Sequence, residues 1–154
     1  MTPKFRAWDN GMEMMVYQGD DEINICFDGE KWKLLDYYRT HWETDEYGMS
    51  EIEQPWEVEN IEIMQYTGLK DSNGVEIYEG DIIRGTDMLS ARTGGRVEDR
   101  EVVGEVVIDS SSVWGFSIVV YETEYHLNDF LEKDQEAEVI GNIYENPELL
   151  EVEQ

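Results

Sequence analysis

Cysteine, histidine and basic residues are scarce in this chain of 154 residues. Because Cys26 is the single cysteine, the chain cannot form an internal disulfide bond. A structural zinc site needs several cysteine or histidine ligands. The two histidines, His41 and His126, each lack a further ligand three or four positions away. The sequence therefore predicts neither a disulfide framework nor a zinc site.

The charge is strongly one-sided, because the chain has only 11 lysines and arginines against 37 acidic residues, which gives a formal net charge of -26. Proteins bind nucleic acid and anionic membranes through lysine and arginine, so neither is expected as a direct partner. Three explanations of the acidity stay open: solubility, electrostatic steering toward a basic protein, and weak binding of cations by clustered carboxylates.

Long apolar runs are also missing. The N-terminal segment MTPKFRAWDN has no continuous apolar stretch, so we expect no signal peptide. No run approaches the roughly 20 apolar residues that span a bilayer. Hydrophobic residues still make up 40% of the chain and aromatic residues 12%, which is enough for a packed core. These features predict a soluble cytoplasmic protein of one domain or two small subdomains.

The N-terminal part of the sequence predicts β-hairpins. Asn10-Gly11 and Asp28-Gly29 are dipeptides typical of tight turns, and Asn-Gly favours a two-residue type I′ turn. The predicted strands are Lys4–Trp8 with Met12–Gln18 at the first turn, and Ile23–Phe27 with Lys31–Leu35 at the second.

Two further segments complete this part. Val58–Tyr66 alternates and carries apolar residues on both sides, which predicts one central strand. Tyr37–Glu57 mixes aromatic and acidic residues without a clean period, so we predict a long loop with one helical turn. Pro55 is expected to break this loop just before the strand.

The C-terminal part has the pattern of a small barrel. A strand at Ile82–Arg84 precedes a polar loop, and one helical turn is predicted at Leu127–Glu132 before the last strand. The later strands are predicted at Glu101–Asp109, Trp114–Tyr121 and Ala137–Tyr144. The order resembles an SH3-like barrel. The fold class is thus mainly β (a β-rich α+β chain), with this barrel and a smaller β-rich N-terminal subdomain.

Three separated segments resemble the YopX family of phages and prophages. They are KFRAWD at Lys4–Asp9, MQYTGLKDSNGVEIYEGD at Met64–Asp81 and VIGNIYENPELL at Val139–Leu150. The resemblance implies a phage-derived protein that acts in the host cytoplasm. We place the subdomain boundary near Thr67–Asn73, with residues 1–66 and 67–154 together forming one YopX-like unit.

Catalytic motifs are missing from the sequence. There is no G-x-S-x-G elbow, no Walker lysine after Gly94-Gly95, and no cysteine–histidine pairing. The acidic trio Asp20-Asp21-Glu22 does not continue as an EF-hand, because Asn24 and Cys26 occupy positions where further ligands or the glycine should fall. We therefore predict no enzyme activity, no cofactor and no dedicated metal site.

Two surfaces are candidate contact sites. Arginines gather in the polar loop after the first barrel strand and could dock on an acidic neighbour, although pairing with the chain's own carboxylates is an alternative. They are Arg84, Arg92, Arg96 and Arg100. Aromatic residues of the acidic loop could anchor a partner or could cover the N-terminal core. They are Tyr37, Tyr38, Trp42, Tyr47 and Trp56. Gly68, Gly74 and Gly80 are expected to serve as structural turns with positive φ.

The function predicted from these features is a non-enzymatic phage accessory protein that binds another protein, with a basic protein as one expected partner, and forms a homo-oligomer. The alternative is an acidic mimic of nucleic acid that occupies a host DNA-binding protein. A small enzyme or metal-binding protein is the third hypothesis, and it has the least support in the sequence.

Overall fold

The computed structural model describes residues 4–20, 23–37, 41–45, 47–52, 55–86, 101–108, 115–120, 123–133 and 136–151. The chain divides into two compact units, Met1–Gln65 and Tyr66–Gln154. Both consist mainly of antiparallel strands, so the predicted β-rich fold class is confirmed. The sequence analysis placed the boundary a few residues later, near Thr67–Asn73.

In the N-terminal unit, β1 lies between β2 and the first half of β8. The bounds are β1 (Phe5–Asp9), β2 (Met14–Tyr17) and β8 (Ile61–Lys70). The β1–β2 hairpin is confirmed, but its two-residue turn is not, because four residues connect the strands and positive φ falls on Glu13. The Asp9 carboxylate accepts the N–H groups of Gly11 and Met12 at 2.8 and 3.1 Å and so shapes this wider turn.

A second sheet has the order β3-β4-β7. These strands are β3 (Ile23–Phe27), β4 (Trp32–Asp36) and β7 (Trp56–Val58). The predicted hairpin at Asp28-Gly29 is confirmed, with four residues in its connection and φ of 103° at Gly29. Residues of this sheet and of β1 form the N-terminal core, which contains Phe5, Ala7, Ile25, Leu34 and Val58.

Two predictions for this unit are wrong. Tyr37–Glu57 is not a long loop with a helical turn, because it contains the β5–β6 hairpin (His41–Asp45 and Gly48–Ile52) and β7. Its mixed aromatic and acidic strands lack the alternation that marks a half-buried strand. Val58–Tyr66 is not one strand either. Asn60 has φ of 59°, a conformation that asparagine tolerates, and it separates β7 from β8.

The C-terminal unit contains a five-stranded antiparallel sheet with the order β13-β12-β11-β10-β14. Sequential strands are neighbours, and the last strand returns beside the first, as expected for the predicted SH3-like order. The five strands are β10 (Asp81–Thr86), β11 (Glu101–Ile108), β12 (Phe116–Val120), β13 (Thr123–His126) and β14 (Glu138–Asn142). Strand β9 (Glu76–Tyr78) pairs instead with the second half of β8. The sequence analysis did not assign β13, which is only four residues long.

Helix α1 (Leu127–Lys133) lies at the predicted helical turn and extends one residue beyond it. It buries Leu127 and Phe130 in the C-terminal core. The other buried members are Ile77, Ile83, Val102, Val106, Ile118 and Ala137. A 3-10 helix (Pro147–Leu150) follows β14.

Buried polar side chains fix the turns of the C-terminal unit. The Asp71 carboxylate accepts N–H groups from Asn73 and Val75, both at 2.8 Å, and from Val139 of β14 at 2.9 Å. Asp81 accepts the Tyr78 N–H at 2.7 Å. Since unpaired backbone donors are costly in the interior, these carboxylates stabilise the turns and hold one of them to a distant strand.

Two kinds of feature are absent from the described residues. No helix in these ranges has the length and apolar character needed to cross a membrane. Likewise, the described part of the chain contains no group of three or more histidine, cysteine or acidic side chains arranged to hold a metal ion.

Candidate functional site

The β3–β4 hairpin presents two aromatic side chains at its turn end. The Asp28 carboxylate accepts the N–H groups of Glu30 and Lys31 at 2.9 and 3.0 Å, which stabilises the turn. The resulting register places Phe27 directly opposite Trp32. Their ring centroids are 5.4 Å apart, and the two residues are 54% and 40% exposed. We call Phe27 and Trp32 the aromatic pair.

The aromatic pair continues the apolar face of its sheet into solvent. Residues paired across antiparallel strands lie on one face, and so do alternate residues of one strand. Leu34 is therefore on the same face as Trp32, and its cross-strand partners Ile25 and Val58 are buried with it. Phe5 of β1 packs against Trp32 at 4.3 Å between ring centroids. The core thus supports the Trp32 indole from one side and leaves part of it exposed.

Charged residues of this hairpin and of β7 form a small network. Lys33 contacts Glu57 at 2.9 Å and Asp28 at 3.1 Å, while Lys31 contacts Glu57 at 2.8 Å. Two cations and two carboxylates therefore balance one another. Such exposed ion pairs contribute little stability individually, but they hold Lys31 and Glu57 in place beside the aromatic pair.

The pKa values in this network shift in favour of the charged forms. Hydrogen bonds from the backbone N–H groups of Lys31 and Glu30, and then from Lys33, lower the pKa of Asp28. Hydrogen bonds from Lys31 and Lys33 lower the pKa of Glu57, and Glu57 followed by Asp28 raises the pKa of Lys33. The network consequently stays ionised at neutral pH.

A cleft of about 380 Å³ adjoins Trp32. Its walls come from Lys31, Trp32 and the chain between Glu57 and Ile61. The carbonyl oxygen of Asn60 accepts the backbone N–H and the side-chain Nδ2–H of Asn10, at 3.2 and 2.9 Å, which holds this wall at its corner. The cleft therefore combines an exposed indole, apolar residues and carboxylates.

The structure places the aromatic residues selected from the sequence at different positions in the N-terminal unit. Trp56 is exposed on β7 and pairs with Asp36, the residue before the exposed Tyr37. Tyr47 is 92% exposed in the turn between β5 and β6. Trp42 pairs with Glu51 within this hairpin. Tyr38 lies outside the described residues. This set as a protein-binding face stays a prediction.

Of the four arginines, the described one is Arg84 on β10, which forms an ion pair with Glu138 of β14. Contact with Glu138 raises the pKa of Arg84, and the same contact lowers the pKa of Glu138. Arg92, Arg96 and Arg100 lie outside the described residues, so the arginine loop as an oligomer contact stays a prediction.

The three glycines predicted as structural turns all have positive φ, but Gly68 lies within β8, at an irregularity of its pairing with β9, and not in a turn. The values are 85° at Gly68, 82° at Gly74 and 77° at Gly80. Gly74 completes the Asp71 turn, because its N–H donates to the Asp71 carbonyl oxygen at 3.0 Å. This conformation is unfavourable for residues with a Cβ atom, which explains the glycine.

Sequence reasoning missed Phe27 and Trp32 as candidate functional residues. It placed both on the correct hairpin but gave them no role. The available signal was their position, since two large aromatic residues flank one Asp-Gly turn and a four-residue connection places them opposite each other. Their partial exposure also depends on Phe5, which lies on a distant strand.

Comparisons with known proteins give the chain a family. It is similar to the crystal structure of protein EF1440 from Enterococcus faecalis, with a TM-score of 0.56 and 25% sequence identity. The similarity covers 97% of this chain and 99% of that one. None of the curated proteins compared with the chain matches it. The YopX protein family model matches residues 4–151, nearly the full length, and the chain therefore belongs to the YopX family.

Proposed function

We propose that this YopX protein is a non-enzymatic phage accessory protein whose N-terminal unit binds a basic host or phage protein in the host cytoplasm. The observation that carries the proposal is the aromatic pair, two tilted rings in contact that remain about half exposed. Tryptophan and other aromatic residues are typical anchors of protein interfaces.

The setting of the pair favours this role. Trp32 rests on Phe5, so its ring is already ordered before a partner arrives. An ordered anchor loses little conformational freedom on binding, which favours affinity. Leu34 and Val58, which continue the same sheet face, are buried. The exposed apolar surface on this face is thus limited to the pair, because the residues behind it are fully packed in the core.

The charge of the chain indicates the class of partner. At a net charge of -26, the electrostatic field of the chain repels an acidic protein and steers a basic one toward the surface. The charge network beside the aromatic pair is internally balanced. The attraction therefore comes from the remaining acidic surface, and the pair adds short-range apolar contact.

Self-assembly is a separate part of the proposal. The predicted homo-oligomer depends on an arginine loop whose described member, Arg84, already contacts Glu138 of its own unit. Light scattering over a hundredfold range of protein concentration tests it. An oligomer gives a mass that is a multiple of 18.0 kDa. A constant monomer mass removes self-assembly from the proposal and leaves partner binding unaffected.

Affinity capture during phage induction tests partner binding. The wild-type chain is compared with the double variant Phe27→Ser/Trp32→Ser and with Val75→Ser/Ile108→Ser, which removes two exposed apolar side chains from the C-terminal unit. We expect the capture to yield one basic protein. Once purified, this protein should bind the wild type and the control directly, and its affinity for the double variant should be at least tenfold lower. Circular dichroism checks that each variant is folded.

Two results would contradict the proposal. Equal affinity of all three chains would show that the aromatic pair is not the binding site. Displacement of the partner by duplex DNA at low salt, together with equal affinity of the aromatic variants, would instead support the nucleic-acid mimic.

A further inference from the structure

We infer that the cleft beside Trp32 accepts a cationic side chain, preferably an arginine, from the protein partner. This inference rests on the proposed function and names the group that the partner inserts. The cleft volume of about 380 Å³ lies at the lower end of the roughly 300–1,000 Å³ typical of ligand sites. A single long side chain is therefore a suitable occupant.

The walls of the cleft suit the aliphatic part of such a side chain. Val58 is buried and Ile61 is half-buried, so together they provide an apolar surface. Trp32 adds the exposed portion of its indole, whose position is supported by Phe5 and Phe27. The methylene groups of lysine and arginine regularly pack along apolar surfaces in this way.

The indole also favours the charged end. Cations bind over aromatic faces, tryptophan is the strongest such acceptor, and arginine is the most frequent donor because its planar guanidinium can stack. A neutral side chain of the same shape lacks this attraction. The cleft should therefore distinguish arginine from an uncharged analogue.

The local charges point in the same direction. Of the cleft residues, Glu57 pairs with Lys31, and it also contacts Lys33, which lies outside the cleft lining and contacts Asp28. The charges of these four groups sum to zero. The exposed Glu59, which also lines the cleft, therefore leaves the site with one net negative charge. The net negative charge of the whole chain acts in the same direction, so the cleft attracts a cation and repels an anion.

Peptide titrations followed by nuclear magnetic resonance test the inference on the full chain. The probes are blocked tripeptides whose central residue is arginine, citrulline or glutamate. The indole N–H signal of Trp32, assigned with a Trp32→Phe variant, reports binding at the cleft. We expect the arginine peptide to move this signal in a saturable way and to bind about tenfold more tightly than the citrulline peptide. The glutamate peptide should leave it unchanged.

A matched pair of variants separates the cleft from the general acidity. Glu59→Gln and Glu148→Gln each remove one exposed negative charge, the first at the cleft and the second in the C-terminal unit. We expect Glu59→Gln to weaken the arginine peptide several-fold and Glu148→Gln to leave its affinity unchanged. Equal effects of the two variants, or equal affinity for arginine and citrulline, would overturn the inference.

The failure of this inference is distinguishable from failure of the proposed function. If no arginine peptide moves the Trp32 signal but Phe27→Ser/Trp32→Ser still loses the captured protein, the aromatic pair binds its partner without a cation in the cleft. If the arginine peptide binds as expected while the captured protein binds the double variant normally, the cleft is cation-binding but is not the interface with that protein.

Discussion

The two units of this chain treat their large apolar side chains in opposite ways. Among the described residues, eight of the ten exposed large apolar side chains belong to Met1–Gln65, and two belong to Tyr66–Gln154. The C-terminal unit conversely holds ten of the sixteen hydrophobic residues that are buried in the described ranges. Exposed aromatic residues are costly in water, and their concentration in one unit is the reason that the proposed contact site is placed there.

Carboxylates that accept backbone N–H groups fix turns in both units, at Asp9 and Asp28 in the N-terminal one. In the C-terminal unit, buried Asp71 and Asp81 accept backbone N–H groups and fix turns. In the N-terminal unit, Asp28 and Glu57 form exposed ion pairs beside the aromatic pair. The exposure of large apolar side chains, rather than the use of carboxylates, therefore distinguishes the N-terminal unit.

The largest effect is expected for the buried part of the N-terminal sheet face. Leu34→Ala leaves a cavity in a small core and should lower the free energy of unfolding by about 3 kcal/mol. Phe27→Ala, on the same face but exposed, should cost less than about 1 kcal/mol. Tryptophan fluorescence during urea unfolding measures both, since four of the five tryptophans lie in residues 1–65. Equal losses would show that Phe27 is a core residue.

The second effect concerns the carboxylate anchors. Asp71→Ala removes three hydrogen bonds from backbone N–H groups in a buried turn and should cost about 3 kcal/mol. Asp28→Ala removes two such bonds and an ion pair in an exposed turn, where water replaces them, so a smaller loss is expected. Urea unfolding followed by circular dichroism measures both variants. A larger loss for Asp28→Ala would reverse the assigned roles.

A third effect tests how the C-terminal segment packs within its own unit. A Cβ atom at Gly141 would lie 2.5 Å from Asn146 Oδ1 and 2.9 Å from Leu149 Cδ1. Gly141→Ala should therefore destabilise the chain by about 1 kcal/mol, because these side chains must turn away. Adding Leu149→Ala should remove part of this penalty in a double-mutant cycle. Strictly additive losses would mean that Leu149 does not contact this site.

Acid titration should affect the N-terminal charge network. The pKa values of Asp28 and Glu57 are lowered by folding, so their contribution is complete above the unfolded values and is lost as the pH falls through the folded values. Fluorescence-detected stability should thus decrease below roughly pH 4. Lys33→Met, which removes the shared cation, should flatten this decrease. An unchanged pH profile in this variant would remove Lys33 as a cause.

The smallest effect, of opposite sign, belongs to Glu105 on β11. Burial raises its pKa, so stability falls as the pH rises from the unfolded toward the folded value. Glu105→Gln should therefore stabilise the chain slightly at pH 7 and have no such effect near pH 4. Thermal unfolding at the two pH values measures the difference. Equal changes at both pH values would contradict the assigned titration.

Much of the fold could be predicted from sequence because local signals were sufficient. Asp28-Gly29 marked a hairpin, and the strand order after Asp81 indicated how the last strand returns beside the first. Positive φ at Asn60 carried no such signal, and β13 is too short for a clear alternation. These misses arise where side-chain hydrogen bonds and tertiary pairing determine the backbone.

The site was less predictable than the fold. Residue type alone suggested aromatic residues in Tyr37–Glu57, where Tyr47 and Trp56 are indeed exposed. It could not show that Phe27 and Trp32 form a pair, since their exposure depends on how Phe5 covers the sheet. Pairing of the arginines with the chain's own carboxylates was one of the two predictions for them, but the sequence could not single out Glu138, which lies 54 positions from Arg84.

Backbone hydrogen exchange of the purified complex with the captured protein tests most directly whether the N-terminal unit is the binding unit. Our account predicts new protection in β3, β4 and the chain from Trp56 to Ile61, with the C-terminal sheet unchanged. Protection confined to strands β10–β14, with the aromatic pair exchanging as in the free chain, would contradict it.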